Sequence, residues 1–316
     1  MAPALLRFYA KDWMADVMSK GKPTISIIGA GRLGTALAIA LTSKSYPIRA
    51  VAARRAANAR KAISLSALPS TTLALGADQL EQLPPSDLVL ITTPDDAIAG
   101  IARTFAKLGR SARRRSTFLH TSGALSSAVL APLAERGFHT GSLHPLISVS
   151  DPRAGAEALS GAFYCVEGDS VAVRSAKAIV RDLDGNAFTI KPESKALYHA
   201  AAVMASPHLV ALFDLAVQML VSCGLKPQEA QNVLTPLVQS TVNNLKQTSP
   251  EKALTGTFAR GDVATVQRHL KALAPKQLAE ALEIYKLLGL HSLQLAAQRG
   301  LDPKVATQIK IALKKT

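Results

Sequence analysis

Apolar residues follow two rhythms along this chain. Residues 25–28 (Ile-Ser-Ile-Ile) form a short, almost continuous apolar run, the pattern of a parallel strand buried on both faces. After a glycine-rich turn, residues 35–41 (Thr-Ala-Leu-Ala-Ile-Ala-Leu) are good helix formers. The pair then repeats. Strands are expected at 47–53, weakly at 71–75, and again at 87–92, 116–120 and 141–146. Helical stretches lie between them, such as 97–108, which Thr93, Pro94, Asp95 and Asp96 punctuate and cap. Residues 162–166, a helix over 171–183 and residues 187–190 extend the same sheet. This alternation predicts an α/β fold: a Rossmann-type, doubly wound, mostly parallel sheet with helices on both faces.

At Pro192 the alternation stops. From there to Thr316 the chain reads as helix, broken at 224–227, Ser249-Pro250, 256–262 and 300–303. The expected division is an N-terminal extension over 1–21, itself helical, a Rossmann domain over 22–191 and an all-helical domain over 192–316. Residues 196–223 are apolar enough to raise a membrane span. His199, Pro207, His208, Asp214 and Gln218 interrupt them, so a buried helix pair is expected, with a restart at Ser206-Pro207.

Chemistry begins at the glycine-rich turn. Gly29-Ala30-Gly31-Arg32-Leu33-Gly34 is G-x-G-x-x-G between a strand and a helix, the context in which this motif binds a dinucleotide. Gly29 makes the tight turn, Gly31 admits a pyrophosphate, and Gly34 lets the helix pack close to the strand. The anion then rests on N–H groups of the helix N-terminus. Twenty residues past Gly34, where an NAD-binding unit carries an acid for the ribose 2′-hydroxyl, stand Arg54 and Arg55. A guanidinium fits a 2′-phosphate, so the expected cofactor is NADP. Three more strand ends bring Thr92, Thr93 and Pro94, then Thr121, Ser122 and Gly123, then His144 and Pro145 toward one crevice. Ligands of open α/β sheets bind at such carboxyl ends.

A nicotinamide-dependent enzyme must hold the ring, supply a proton and anchor the substrate. His144 is a candidate acid or anchor. Ser122, also at the cofactor, could hold a substrate carboxylate together with the Gly123 backbone. Lys195 and His199 share a helix face at i, i+4 and suit a proton donor and its orienter. Each also has a plainer reading, as a hydrogen-bonded structural residue or an interdomain contact. Arg260 and Asp262 can pair with each other or reach a ligand or a second subunit; a structural or interface role is favoured. The histidines lack metal-ligand spacing, and no metal is expected.

Composition trims the remaining options. The chain is 48% hydrophobic, 19% charged and only 4% aromatic, which suits a soluble globular protein. Net charge is +15, yet the tight basic clusters, Arg113-Arg114-Arg115 and Lys314-Lys315, have no aromatics interleaved for base stacking. Nucleic acid is therefore not expected, whereas a small anionic ligand is favoured by the charge. Cys165 and Cys223 are far apart and read as buried, inert thiols. Asp12 and Asp16 and the lack of a long apolar leader point to a cytoplasmic protein without a membrane anchor.

Several motifs together resemble a known bacterial family. They are Gly29-x-Gly31-x-x-Gly34, His120-Thr121-Ser122-Gly123-Ala124, Ser142-Leu143-His144-Pro145-Leu146, Tyr198-His199-Ala200-Ala201, and Leu254-Thr255-Gly256 with Arg260-Gly261-Asp262 and His269-Leu270. Members of that family pair a Rossmann-like domain with a helical domain of unknown function 2520, and the match spans about residues 22–290. The family is similar in turn to pyrroline-5-carboxylate reductase and the 6-phosphogluconate dehydrogenase superfamily. The resemblance implies NADP binding, a helical domain that forms a homodimer, and oxidoreductase activity. Pro207 stands where the family tends to have Asn, and Thr257 where it tends to have Pro. The expectation is an NADP(H)-dependent dehydrogenase or reductase for a small carboxylate-bearing carbonyl, alcohol or imine. The rival is a non-catalytic NADP(H)-binding sensor, which would lack a proton donor at the nicotinamide.

Overall fold

The structure, a computed structural model, describes residues 21–108 and 116–315. The helix expected within the N-terminal extension and the Arg113–Arg115 cluster lie outside the described residues. The first compact unit, Met1–Ser206, contains β1 (Ile25–Ile28), α1 (Arg32–Ser43), β2 (Ile48–Ala52), α2 (Ala56–Leu65), β3 (Leu73–Leu75), β4 (Leu88–Ile91) and α3 (Asp95–Lys107). It continues through β5 (Thr117–His120), α4 (Ala131–Ala134), β6 (His139–Pro145), α5 (Pro152–Ala158), β7 (Phe163–Gly168), α6 (Ser170–Asp182), β8 (Asn186–Phe188) and α7 (Lys195–Ala205). All eight strands form one sheet in the order β3-β2-β1-β4-β5-β6-β7-β8. Neighbours are parallel except β6 and β7, which are antiparallel.

Alternation along the strands divides the core. Ile25, Ile27, Leu88 and Leu90 point to one face, where they pack with Leu37, Leu41 and Ile179 from α1 and α6. Ile28, Val89 and Ile91 point to the other, against Ile98, Phe105 and Leu133. Burial on both faces explains why these strands read as continuous apolar runs. Chain order reverses between β1 and β4, so the loops after these strands diverge and open a crevice at their carboxyl ends.

Two glycines are required by close approach at that point. Gly29 has φ +119°, and a side chain on it would strike the Thr92 backbone. A side chain on Gly34 would overlap the Gly29 carbonyl and meet Thr92 Oγ1. Gly31 differs, since nothing lies within reach of a carbon added there. No side chain caps the α1 N-terminus and no acid sits in its first turn.

The second unit, Pro207–Thr316, is wholly helical among the described residues: α8 (Pro207–Ser222), α9 (Pro227–Gln247), α10 (Pro250–Ala253), α11 (Gly256–Ala259), α12 (Val263–Leu273), α13 (Ala279–Gln298) and α14 (Pro303–Lys315). Val266, Leu270, Leu293, Ile309 and Leu313 form its core. In the polar loop, Asp262 accepts from the Thr265 N–H and hydroxyl and so caps α12. Gly261, at φ +67°, packs against Leu301 and Val305. His269 Nδ1 lies 2.8 Å from the Tyr285 hydroxyl.

Four details depart from the sequence expectations. The apolar stretch 196–223 does form two helices that part at Ser206, but it is not buried. α8 has no buried residue, and Leu209, Val210, Leu212 and Val221 are exposed, because apolar residues surround the helix while its own unit covers too little of it. An 18-residue window within Pro192–Ser222 has a mean hydropathy of 1.7, long and apolar enough by composition for a membrane span, although the break at Ser206 divides the segment. Cys165 is buried, whereas Cys223 is exposed just beyond α8. α3 begins at Asp95 with no side-chain cap; its two first-turn acids instead complement the helix dipole. Finally, the compact units divide after Ser206, and α7 is tied to the sheet by the Lys195 contacts described below.

Gly34→Ala is expected to destabilise the fold by about 1–3 kcal/mol, because its new methyl group meets rigid backbone. Gly31→Ala should melt within a degree or two of the parent, about the effect of a few tenths of a kcal/mol. Thermal unfolding of both variants checks the contrast.

Candidate functional site

A cleft of about 500 Å³ occupies the crevice at the ends of β1, β2 and β4. Gly29, Ala30 and Gly31 form one wall, Thr92, Thr93 and Pro94 another, and Arg54 with Asn58 closes the far end. The open approach to Gly31 and the uncapped α1 N-terminus leave backbone N–H groups available to an anion. Thr93 Oγ1 is buried without a hydrogen-bond partner. Such a hydroxyl asks for a ligand, because an unsatisfied buried polar group costs about 1–3 kcal/mol. These features fit a phosphate-bearing dinucleotide.

Not every residue singled out from the sequence lines that cleft. Leu33 packs against the sheet core, Gly34 serves close packing, and Arg32 is exposed at the start of α1. Arg55 is the N-cap residue of α2, outside the cleft that Arg54 lines. Asn58 was not anticipated; its signal was its place four residues after Arg54, one turn along α2.

Beside the cleft lies a second, side-chain cluster, joined to it through Asp95. The Ser122 hydroxyl donates to Asp95 at 2.8 Å and accepts from the Ala124 and Leu125 N–H groups at 3.2 and 2.9 Å. All its capacity therefore goes to holding the loop after β5. Lys195, at the start of α7, is only 1% exposed. Its ammonium donates to the Ser122 carbonyl and the Ser142 hydroxyl, both at 2.9 Å. Lys195 thus points into the sheet and fastens three elements together. Burial pushes its pKa below the ordinary lysine value.

His144, on β6, lies 2.7 Å through Nδ1 from the Tyr198 hydroxyl. Tyr198 in turn packs edge-on against Phe188 of β8, and burial raises its pKa. The His144 and His199 rings are 5.8 Å apart and nearly perpendicular. Burial first, and then the Lys195 ammonium, lower the His144 pKa to about 3; the same causes, in the same order, bring buried His120 to about 4. Both imidazoles are neutral at physiological pH. Tyr198, His120 and Asp95 complete the cluster but were not among the candidate site residues. Each carried a signal: His120 heads the motif His120–Ala124, Asp95 stands in the run Thr93–Asp96 after the fourth strand, and Tyr198 stands beside His199.

The comparisons with known proteins agree with this architecture. Residues 12–145 match a Rossmann-like domain, and residues 162–292 match a domain of unknown function, DUF2520. No curated protein matches the sequence. A solved structure from Bacteroides fragilis, described as a candidate NADP oxidoreductase, is similar with a TM-score of 0.69 at 23% identity, over 86% of this chain and 98% of that one. Pyrroline-5-carboxylate reductase from Streptococcus pyogenes gives a TM-score of 0.56 at 16% identity, over 94% and 98%. The Streptomyces aurantiacus imine reductase gives 0.57 at 18% identity, over 92% and 100%. At such identities the likeness is one of fold.

The neutral histidines predict a definite acid response. In the unfolded chain each binds a proton near pH 6.5, whereas in the folded chain it does so only near pH 4 for His120 and pH 3 for His144. The unfolded state therefore binds more protons within that window. Stability is complete above about pH 6.5 and falls as pH drops, by up to about 1.4 kcal/mol per pH unit for each proton. Denaturant unfolding from pH 7.5 to 4 checks this, with His144→Gln expected to flatten the slope. An unchanged slope would show that the ring is not held neutral.

Proposed function

We propose that this chain, which joins a Rossmann-like domain to the domain of unknown function 2520, is an NADP(H)-dependent oxidoreductase acting on a small carbonyl, alcohol or imine compound. The observation that carries this reading is the cleft at the strand-order reversal. It combines an open Gly31, an uncapped helix N-terminus, a partnerless Thr93 hydroxyl and a terminal Arg54–Asn58 pair. In this reading the α1 N–H groups and Gly31 hold the pyrophosphate, and Thr93 bonds the cofactor nearby. Arg54 takes the 2′-phosphate, with Asn58 beside it. A nicotinamide bound there supplies or accepts a hydride.

The chain's own residues bind and orient the substrate. His144 and His199 face it, while Ser122 and Lys195 hold the loop and the helix that carry them. A pair of imidazoles beside the cofactor cleft, able to give hydrogen bonds to a substrate, favours an enzyme over a sensor. The names of the solved neighbours, reductases of imines and of pyrroline-5-carboxylate, support a nicotinamide-linked redox reaction. The exposed apolar residues of α8, with Val233 and Leu237 on α9, support a homodimer built on the helical unit.

NADPH is expected to bind at least about tenfold more tightly than NADH, and Arg54→Ala to erase that preference, a change of about 1.4 kcal/mol. Fluorescence titration with both nucleotides measures it; binding of neither would sink the oxidoreductase reading. Sedimentation should show a dimer that Val210→Glu converts to a monomer, since that substitution places a charge on a residue 69% exposed within one chain. A monomeric parent would refute the dimer.

A further inference from the structure

Gly123 sits beneath two imidazoles. A side-chain carbon added there would fall 2.8 Å from His144 Nε2 and closer still to His199 Nδ1, so both nitrogens converge on the place a side chain would occupy and leave no room for one. Gly123 is not among the glycines with positive φ, so its backbone does not demand glycine; the space does. His199 Nδ1 is buried there without a partner. The other nitrogen of His144 is committed to Tyr198.

We propose that, when substrate binds, these two converging nitrogens hold one of its oxygen atoms, a carbonyl oxygen that takes hydrogen bonds from the N–H groups of His144 and His199 as it becomes an alkoxide. The substrate pair is then a carbonyl compound and its alcohol, rather than an imine and its amine. This inference rests on the nicotinamide-dependent reading given above and narrows its substrate.

The chemistry follows from the donors. In the tautomer this proposal requires, the Tyr198 hydroxyl donates to His144 Nδ1 and the imidazole proton stands on Nε2, the nitrogen that meets Gly123. His199 Nδ1 can turn a second N–H to the same point. Two fixed donors stabilise a charge that develops on oxygen and need no rearrangement as it forms. They offer nothing to the cationic, protonated form through which an imine is reduced. The carboxylates that could have served a cation are engaged elsewhere: Asp95 accepts a hydrogen bond from the Ser122 hydroxyl, and Glu167 accepts from the Ser127 N–H and hydroxyl. Of the fixed charges, the Lys195 ammonium is the one that bears on His144. In the balanced reaction a carbonyl compound, a reduced nicotinamide and one proton give an alcohol and the oxidised nicotinamide. The hydride forms the new C–H bond, the C=O π pair moves to oxygen, and oxygen takes a proton that comes ultimately from water.

Three readouts on the full chain test this. Fluorescence titration with NADPH decides the underlying reading, and absence of binding overturns it together with the inference. Side-chain ¹⁵N NMR at pH 7, with no substrate present, is expected to show His144 neutral and protonated on Nε2, a preference that Tyr198→Phe weakens. An imidazolium, or a proton on Nδ1, overturns the inference while leaving nucleotide binding untouched. Finally, NADPH-dependent reduction is compared between a panel of 2-oxo acids and aldehydes and the cyclic imine 1-pyrroline. Carbonyl compounds should react at least about tenfold faster. His199→Phe should lose about 100-fold, as removal of an oxyanion donor does, and His199→Gln should recover part of it. Gly123→Ala should abolish reduction while keeping NADPH affinity within about twofold, a difference of only a few tenths of a kcal/mol, which shows the variant folded. Preference for the imine, or carbonyl reduction that survives Gly123→Ala, overturns the inference.

Discussion

One buried ammonium group holds together the end of the first unit where the β5 loop, β6 and α7 meet. Burying a charge costs several kcal/mol unless its hydrogen-bonding capacity is met. Lys195 meets it with a carbonyl from the loop after β5 and a hydroxyl from β6. This joins α7 to two neighbouring strand ends, where the Ser142 hydroxyl also donates to the Ser122 carbonyl. The same charge helps keep His120 and His144 neutral, so it sets the chemistry of the imidazoles as well as the place of the helix that carries His199. Lys195 is thereby a positioning residue. Its reach into the sheet, rather than toward the crevice, separates it from a group that would touch substrate.

The two parts of the site are built on different physical terms. The nucleotide cleft is largely a backbone object: a reversal of strand order, a helix N-terminus without a cap, and glycines that allow close approach. Few side chains are needed, and those present, Arg54, Asn58 and Thr93, tune it. The cluster over Gly123 is a side-chain object assembled from β6, the β5 loop and α7. Its packing brings one nitrogen of His144 and one of His199 against the glycine, while the other His144 nitrogen pairs with Tyr198. Asp95 joins the two parts, as it belongs to the helix that borders the cleft and accepts from Ser122.

The helical unit follows another constraint. Its polar loop, for which the sequence favours a structural or interface role, resolves at Asp262 and Gly261 into a helix cap and a close contact. Apolar side chains on α8 and α9 exceed what one copy of the unit buries. A unit whose core is confined to residues around Val266, Leu293 and Ile309 leaves apolar surface exposed.

Sequence alone settled what depends on local period and on residue type at a fixed spacing. The strand at Ile25–Ile28, the turn at Gly29–Gly34, the sheet that follows and the switch to helix after Pro192 were all legible, because burial on two faces and close backbone approach restrict which residues can stand there. Arg54 could be read for the same reason, as an unusual charge in a slot of known geometry. Tertiary structure decided everything that depends on direction and neighbours. Only packing shows that Lys195 points inward, that the Ser122 hydroxyl is fully used, that Arg55 leaves the cleft to Arg54 and Asn58, and that residues 207–222 stay exposed. The reason is physical: a side chain's role follows from the atoms it meets, and those atoms come from strands and helices many residues apart, a relation that no local pattern encodes.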